Sequence, residues 1–225
     1  MFEHGMIQVA GVIDRAEAQL LFDSGVNYLG FPLRLPVNAE DLSEEAAAEV
    51  IAGFPPGVEG VLITYLDRAE EVIAFCRKLG VDIVQLHGPI ETEELAKIKT
   101  AWPELVVIKS LIVRGDNLDD LKLQIAASAP YVDAYITDSF DPDTGAEGAT
   151  GKTHDWAIDR ALVAISPRPV ILAGGLNADN VREAILAVQP FGVDVHTGIE
   201  GSDGRKDAKL TQRFVEEARE GFGRP

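Results

Sequence analysis

Pro169-Val-Ile-Leu-Ala-Gly-Gly-Leu-Asn177 and Gly192-Val-Asp-Val-His-Thr-Gly198 decide the architecture. Each begins with a short apolar, β-branched run and breaks on a glycine turn, and a helical pattern, Ala178–Ala187, lies between them. Strand, turn, helix, strand is the repeating unit of a parallel sheet. The same alternation runs back to the N-terminus. Further strand candidates are Met6–Val12, Asn27–Leu33, Gly60–Thr64, Asp82–Leu86, Leu105–Ser110 and Val132–Thr137, with Pro169–Ala173 and Gly192–His196 completing eight. Between them fall the helical stretches Arg15–Asp23, Ser43–Gly53, Arg68–Leu79, Thr92–Thr100, Leu118–Ala127 and Trp156–Ile165, and Lys206–Gly221 follows the last strand. Ser43, followed by Glu44 and Glu45, reads as a helix start, and Gly25 and Gly80 read as stops. Eight strands, each followed by a helix, predict an α/β fold of one domain over residues 1–225, a (β/α)8 TIM barrel. The alternative is an open doubly wound sheet. It lacks its usual signature, since Gly11-Val-Ile-Asp14 is not the glycine-rich turn expected after a first strand.

A length of 225 residues suits one such barrel, and 46% apolar residues suffice for its core. No apolar run reaches the roughly 20 residues of a membrane span, and Met1-Phe-Glu-His4 does not resemble a secretion signal, so the chain reads as cytoplasmic with no membrane partner. A net charge of −17 argues against nucleic acid. It does not argue against a small phosphorylated ligand, because a few backbone N–H groups hold one phosphate locally. The single cysteine, Cys76, excludes an internal disulfide and reads as a packed helix thiol. The four histidines show no metal-ligand spacing, and nothing implies a cofactor. A monomer and a homodimer both fit.

Three segments carry candidate chemistry, all at the C-terminal ends of strands, where barrel enzymes keep their sites. Leu172-Ala-Gly-Gly-Leu-Asn177 lets the backbone approach a ligand, with Asn177 placed to cap the next helix. His196-Thr-Gly-Ile-Glu-Gly201 exposes N–H groups near Gly198. Together Gly174, Gly175, Leu176, Thr197, Gly198 and Ile199 predict a phosphate site from the loops after strands seven and eight; ordinary turns are the alternative. In the third segment, Tyr135-Ile-Thr-Asp-Ser139, Asp138 ends an apolar strand, where partial burial raises a carboxyl pKa and suits it to general acid work. The turn-rich stretch Asp141–Gly151 follows as an expected active-site loop, and its Gly151-Lys-Thr153 triplet lacks the spacing of a nucleotide-binding loop.

Over nearly its whole length the chain resembles the phosphoribosylanthranilate isomerase family, the barrel enzymes of tryptophan biosynthesis. The matching elements are Gln8-Val-Ala-Gly11, Gly25-Val-Asn-Tyr-Leu-Gly-Phe31, Val84-Gln-Leu-His-Gly88, Val107-Ile-Lys109, Thr137-Asp-Ser139, Gly148-Ala-Thr-Gly-Lys-Thr-His-Asp-Trp156, the two glycine turns and Gly204-Arg-Lys-Asp207. The resemblance implies an Amadori rearrangement, in which an acid protonates the ring oxygen of a ribosylamine and a base removes the proton from C2. The acid falls on Asp138, and Asp194 matches a polar substrate contact. The family's base, a cysteine ending strand one, is here Ala10, which cannot move a proton but still lines the substrate site. An arginine that grips the anthranilate carboxylate is also missing: Ala39 and Glu40 stand nearest its position, leaving Arg34 as the substitute candidate.

These departures leave several readings open. His196, where the family usually has a serine, becomes the candidate base, since strands eight and one are neighbours in a closed barrel and an imidazole titrates near pH 6.5; a ligand contact or a satisfied histidine is the alternative. His87 positions groups at the substrate rather than moving protons, and His154 lies in the loop without a readable role. The protein is then an Amadori-type isomerase, or a diverged paralogue that acts on, or only binds, another sugar phosphate. A Schiff-base mechanism would need an inward-facing lysine, for which Lys109 is the candidate.

Overall fold

A computed structural model describes residues 3–36, 40, 42–115, 117–139 and 155–223. Eight parallel strands close in sequence order: β1 (Met6–Ala10), β2 (Tyr28–Pro32), β3 (Glu59–Thr64), β4 (Ile83–Leu86), β5 (Val106–Val113), β6 (Ala134–Ser139), β7 (Val170–Leu172) and β8 (Gly192–Val195). Around them run α1 (Arg15–Asp23), α2 (Glu44–Ala52), α3 (Ala69–Leu79), α4 (Thr92–Ala101), α5 (Leu118–Ser128), α6 (Trp156–Ile165), α7 (Val181–Val188) and α8 (Ala208–Gly221). The expected closed barrel is what the chain forms, and the open sheet is excluded. Among the described residues no helix is long and apolar enough to cross a membrane.

Alternation along each strand sorts the core into two layers. Outward residues such as Val9, Leu29, Phe31, Leu62, Val84, Val107 and Val193 pack against the helices. Inward residues, among them Met6, Ala10, Val61, Ile63, Ile83, Ile108, Ala134, Ile136, Ile171 and Ala173, fill the barrel itself. Helix ends follow the sequence signals. The Ser43 hydroxyl accepts the Ala46 N–H at 3.2 Å, and Gly80 ends α3 in the left-handed region.

Three boundaries differ from the sequence reading for identifiable reasons. β5 continues to Val113 because its apolar run keeps pairing with β6, Val113 lying opposite Ser139. Asp138 is therefore inside β6 rather than after it. α7 begins at Val181, not Ala178, because the preceding turn has hydrogen bonds of its own. Asn177 accepts the Asp179 N–H at 2.8 Å, and Asn180 joins the Asn177 N–H to the Gly175 carbonyl. Asn177 thus organises the turn, and Asn180 is the residue at the helix cap.

The barrel closes where β1 pairs with β8, Met6 to Gly192 through Val9 to Val195. A side-chain clasp reinforces that seam. The buried Glu17 carboxylate accepts the Ile13 N–H at 3.0 Å and the Lys206 N–H at 2.9 Å, and Asp14 takes Arg205 at 2.6 Å. The first strand's exit is thereby tied to the segment entering the last helix. Glu17→Ala leaves two N–H donors without acceptors and is expected to cost about 2–4 kcal/mol, read as a lowered denaturation midpoint in urea.

Candidate active site

At the C-terminal rim the inward row turns from apolar to polar. Gln8 on β1 and Gln85 on β4 meet across the barrel, Gln8 Nε2 donating to Gln85 Oε1 at 2.8 Å. This amide bridge floors the site above the apolar fill of Ile83 and Ile108. Over it stand His87, whose Nδ1 lies 3.1 Å from the Ser110 hydroxyl, and Tyr65, whose ring centre is 5.0 Å from that of His87. Burial drives the His87 pKa below the ordinary histidine value, with the Asp138 charge opposing, so a neutral imidazole is favoured at pH 7.

Asp138 and Asp194 project into the same rim from β6 and β8. Asp138 is half-buried, and its Oδ1 accepts the Ser139 N–H at 2.8 Å. Asp194 is buried, and among the described residues its Oδ1 has no hydrogen-bond partner. Burial first, and the charge of Asp138 second, push the Asp194 pKa up to about 7, against the pull of the Gln8 amide and the Lys206 charge.

Ala10 is where sequence reasoning places it, buried and facing inward at the end of β1. His196 covers the next residue: a Cβ added to Gly11 would lie 2.1 Å from the His196 Nε2. The imidazole therefore packs against the strand end that the family's base would occupy. Its Nε2 is 3.8 Å from Glu200 Oε1. Glu200 in turn accepts from the buried Lys206 ammonium at 2.7 Å, and the same ammonium reaches the His196 carbonyl at 3.0 Å. Lys206 thus pins both ends of the segment after β8.

The two glycine turns touch. Gly174 and Gly175 adopt φ of 98° and 65°, a backbone that side chains rarely take. A Cβ on Gly198 would fall 1.9 Å from the Leu176 carbonyl oxygen, so only glycine permits this contact. Among the described residues no hydrogen bond engages the N–H groups of Gly174, Gly175 or Gly198. Leu176 and Ile199 send their side chains into the core and have only backbone to offer a ligand, whereas Thr197 is exposed.

One expectation, Arg34, is corrected, and one alternative, the Lys109 imine, is set aside. Arg34 is not turned to the mouth: its guanidinium makes a paired bond to Glu44 at 2.8 and 3.2 Å and lies 3.8 Å over the Phe75 ring. Together with Lys78 it holds the Glu44 carboxyl down to about 2. The outer helices supply a carboxylate and an aromatic face, both strong guanidinium partners. Lys109 is out of phase with the inward Ile108 and Ser110, and its ammonium is held by the Leu86, Gly88 and Ser110 carbonyls at 3.4, 3.0 and 3.1 Å. It staples β4 to β5 and is misplaced for an imine. Cys76 is the expected packed thiol, buried and pushed up to about 12 by desolvation. The 141–151 loop and His154 lie outside the described residues, as does Ala39.

Sequence reasoning missed the Gln8–Gln85 bridge and the Lys206–Glu200 pin. The first left a signal, a polar residue in each of two otherwise apolar strands. The second left none, because it depends on how the segment after β8 folds back.

The model of the N-(5'-phosphoribosyl)anthranilate (PRA) isomerase family matches residues 7–217. The chain belongs to that family. N-(5'-phosphoribosyl)anthranilate isomerase 2 of Methanosarcina mazei is 34% identical over 220 residues, covering 96% of this chain and 95% of the relative. The crystal structure of phosphoribosyl anthranilate isomerase from Thermotoga maritima superposes with a TM-score of 0.81 at 27% identity, over 96% of this chain and 99% of that one. A family member solved in complex with reduced 1-(O-carboxyphenylamino)-1-deoxyribulose 5-phosphate gives 0.79 at 26%, over 96% and 99%.

Burying Asp194 makes stability depend on pH in a defined sense. Its folded pKa, about 7, lies above the ordinary aspartate value of 3.8, so the folded protein holds the extra proton between those limits. The contribution of this one group to stability is greatest in acid, falls as pH climbs from about 4 through 7, and then levels off. Asp194→Asn removes the charge that must be buried. It is expected to stabilise the protein by about 2–4 kcal/mol at pH 8 and hardly at all at pH 4, as measured by thermal denaturation at the two pH values.

Proposed function

We propose that this protein catalyses the Amadori isomerisation of an N-(5-phosphoribosyl) arylamine, phosphoribosylanthranilate being the substrate its family implies, as a step of tryptophan biosynthesis. The observation that carries the reading is the contact of the Gly174–Asn177 and Thr197–Ile199 turns at the rim that also bears Asp138 and Asp194. Backbone amides of the two turns hold the 5-phosphate, whose charge favours short, fixed N–H donors over a diffuse field. Asp194 and His87 orient the sugar, and Ala10 leaves room for C1 and C2.

Asp138 protonates the ring oxygen as the C1–O bond breaks, giving an open-chain iminium. His196 takes the C2 proton, and the resulting enaminol becomes a ketone as C1 gains a proton and the 2-hydroxyl loses one. C1 is reduced and C2 oxidised within one molecule, so the chemistry needs no external oxidant. His196 has this role because Ala10 has none to offer and because its ring lies against Gly11. The protein acts as a cytoplasmic enzyme, monomeric or homodimeric, on a small phosphorylated sugar.

A specific observation favours a second reading, in which the barrel acts on or only binds another sugar phosphate. Arg34 is engaged by Glu44, and no lysine or arginine occurs from Leu35 to Asp67, so the β2 side of the mouth offers no cation for an aglycone carboxylate.

Turnover of phosphoribosylanthranilate, followed by loss of anthranilate fluorescence, separates the readings. Activity in the natural protein supports the first, whereas activity only after Ala10→Cys establishes the second. His196→Ala is expected to lower kcat by at least about 100-fold with ribose 5-phosphate affinity unchanged; undiminished turnover removes His196 as base. Gly198→Ala forces the turns apart and is expected to weaken ribose 5-phosphate binding about tenfold or more, a loss of about 1.4 kcal/mol, by titration calorimetry.

A further inference from the structure

We propose that Lys109 is a positioning residue of the site: its ammonium, bonded to the carbonyls on both sides of His87 and to that of Ser110, fixes the His87 imidazole where it meets the sugar. The proposal deepens the isomerase reading and rests on it for the part His87 plays towards the substrate. Its starting point is a cost. An ammonium withdrawn from water is tolerated only where its donors find acceptors, whereas an aliphatic side chain at that position carries no such cost.

A lysine ammonium has three N–H donors, and Lys109 directs them at three carbonyls, those of Leu86 at 3.4 Å, Gly88 at 3.0 Å and Ser110 at 3.1 Å. The choice of acceptors separates a positioning role from a plain staple. β4 and β5 are already paired along their length, Ile83 to Val106 through Leu86 to Lys109. The ammonium adds its bonds where that ladder ends and the chain turns through His87 and Gly88. Leu86 and Gly88 flank His87 in the chain, and Ser110 is the residue whose hydroxyl lies 3.1 Å from the His87 Nδ1. One cation therefore holds the backbone on either side of the imidazole and the strand that carries its ring partner.

The other half of the clamp comes from β3. The His87 N–H donates to the Thr64 carbonyl at 2.9 Å. Tyr65, the next residue, sets its ring centre 5.0 Å from that of His87. Gly88 permits that approach, because a Cβ there would fall 2.9 Å from the Tyr65 Cδ1. With Thr64 and Tyr65 on one side and Lys109 on the other, the His87 turn is gripped from both neighbouring strands.

The ammonium also acts on the ring through its charge. Burial pulls the Lys109 pKa down to about 8, which leaves the charged form in excess at pH 7. Tyr65, Asp138 and Lys109 stand around His87. Burial is the largest influence keeping the imidazole neutral; Asp138 opposes it, and the Lys109 charge adds to it. In a neutral ring, the hydrogen bond at one nitrogen sets the tautomer. A fixed Ser110 hydroxyl at Nδ1 thus gives Nε2 one constant role, donor or acceptor, towards the sugar.

Proton–nitrogen correlation spectroscopy of the histidine rings in the ligand-free protein is the direct test, with His87 assigned through His87→Gln. In the natural protein the His87 Nδ1 and Nε2 signals are expected well apart, as in a single neutral tautomer. Lys109→Met keeps the side-chain length and removes charge and donors together. The two signals are then expected to draw together and the His87 titration midpoint to rise. Lys109→Arg keeps the charge but spreads its donors over a plane. It is expected to draw the signals together and leave the midpoint in place, a second readout should the Met variant not fold. Merged signals in the natural protein, or unmoved signals in a folded variant, overturn the proposal, since a lysine that only joins β4 to β5 affects stability and not the imidazole. In turnover, Lys109→Arg is expected to raise KM for phosphoribosylanthranilate at least about fivefold and to lower kcat by less; a lowered kcat at unchanged KM overturns the proposal as well. Altered ring signals in a protein that does not turn over phosphoribosylanthranilate support the role of Lys109 and sink the isomerase reading.

Discussion

Where β1 meets β8, Gln8 lies opposite Asp194, and the site grows out of that pairing. Closing the barrel compels it, because the last strand has no other edge to satisfy its backbone groups. Closure also fixes the two-residue alternation of every strand relative to the barrel axis. The same operation that buries Ile136 and Ile171 carries Asp138 and Asp194 to the inner rim. A carboxyl in that position faces amides, an alanine and a second carboxyl, so its proton affinity follows from topology rather than from local sequence.

The chain carries a net charge of −17 and yet is read as binding a phosphate ester. The two facts operate over different distances. Surface carboxylates act through water and salt, which screen them beyond about 8 Å. Amides of two touching glycine turns act at hydrogen-bond distance, and the contact between Gly198 and the Leu176 carbonyl brings the turns that close. The same balance explains Arg34, which finds Glu44 and Phe75 on the outer helices rather than a site across the mouth. A flexible cation in an acidic protein goes to the nearest fixed carboxylate.

The two glycine turns and an aspartate on β6 are present at the rim, while the first strand ends in Ala10 and Arg34, after the second, is engaged by Glu44. His196 stands against the gap that the alanine leaves, and Glu200 with Lys206 keeps it there. A side chain that follows β8 comes to lie against the end of β1 because those strands are neighbours only in the closed form.

Apolar runs of four to eight residues, spaced by helical patterns and broken by Gly25, Gly80 and the paired glycines, were enough to read eight strand–helix units, since strand and helix periodicity are local properties of the chain. Ala10, Asp138, Asp194 and His196 were legible as rim residues too, because each lies at or just beyond the end of an apolar strand. Which neighbour a long side chain would choose was not. Lys109 and Arg34 each had several partners within reach, and only the packed helices and strand ends selected among them. Nor did the order of residues announce that burial beside Asp138 would raise the Asp194 titration, or that Lys206 would pin Glu200. Those outcomes arise between positions far apart in the chain, where dielectric, register and crowding are set by the folded whole.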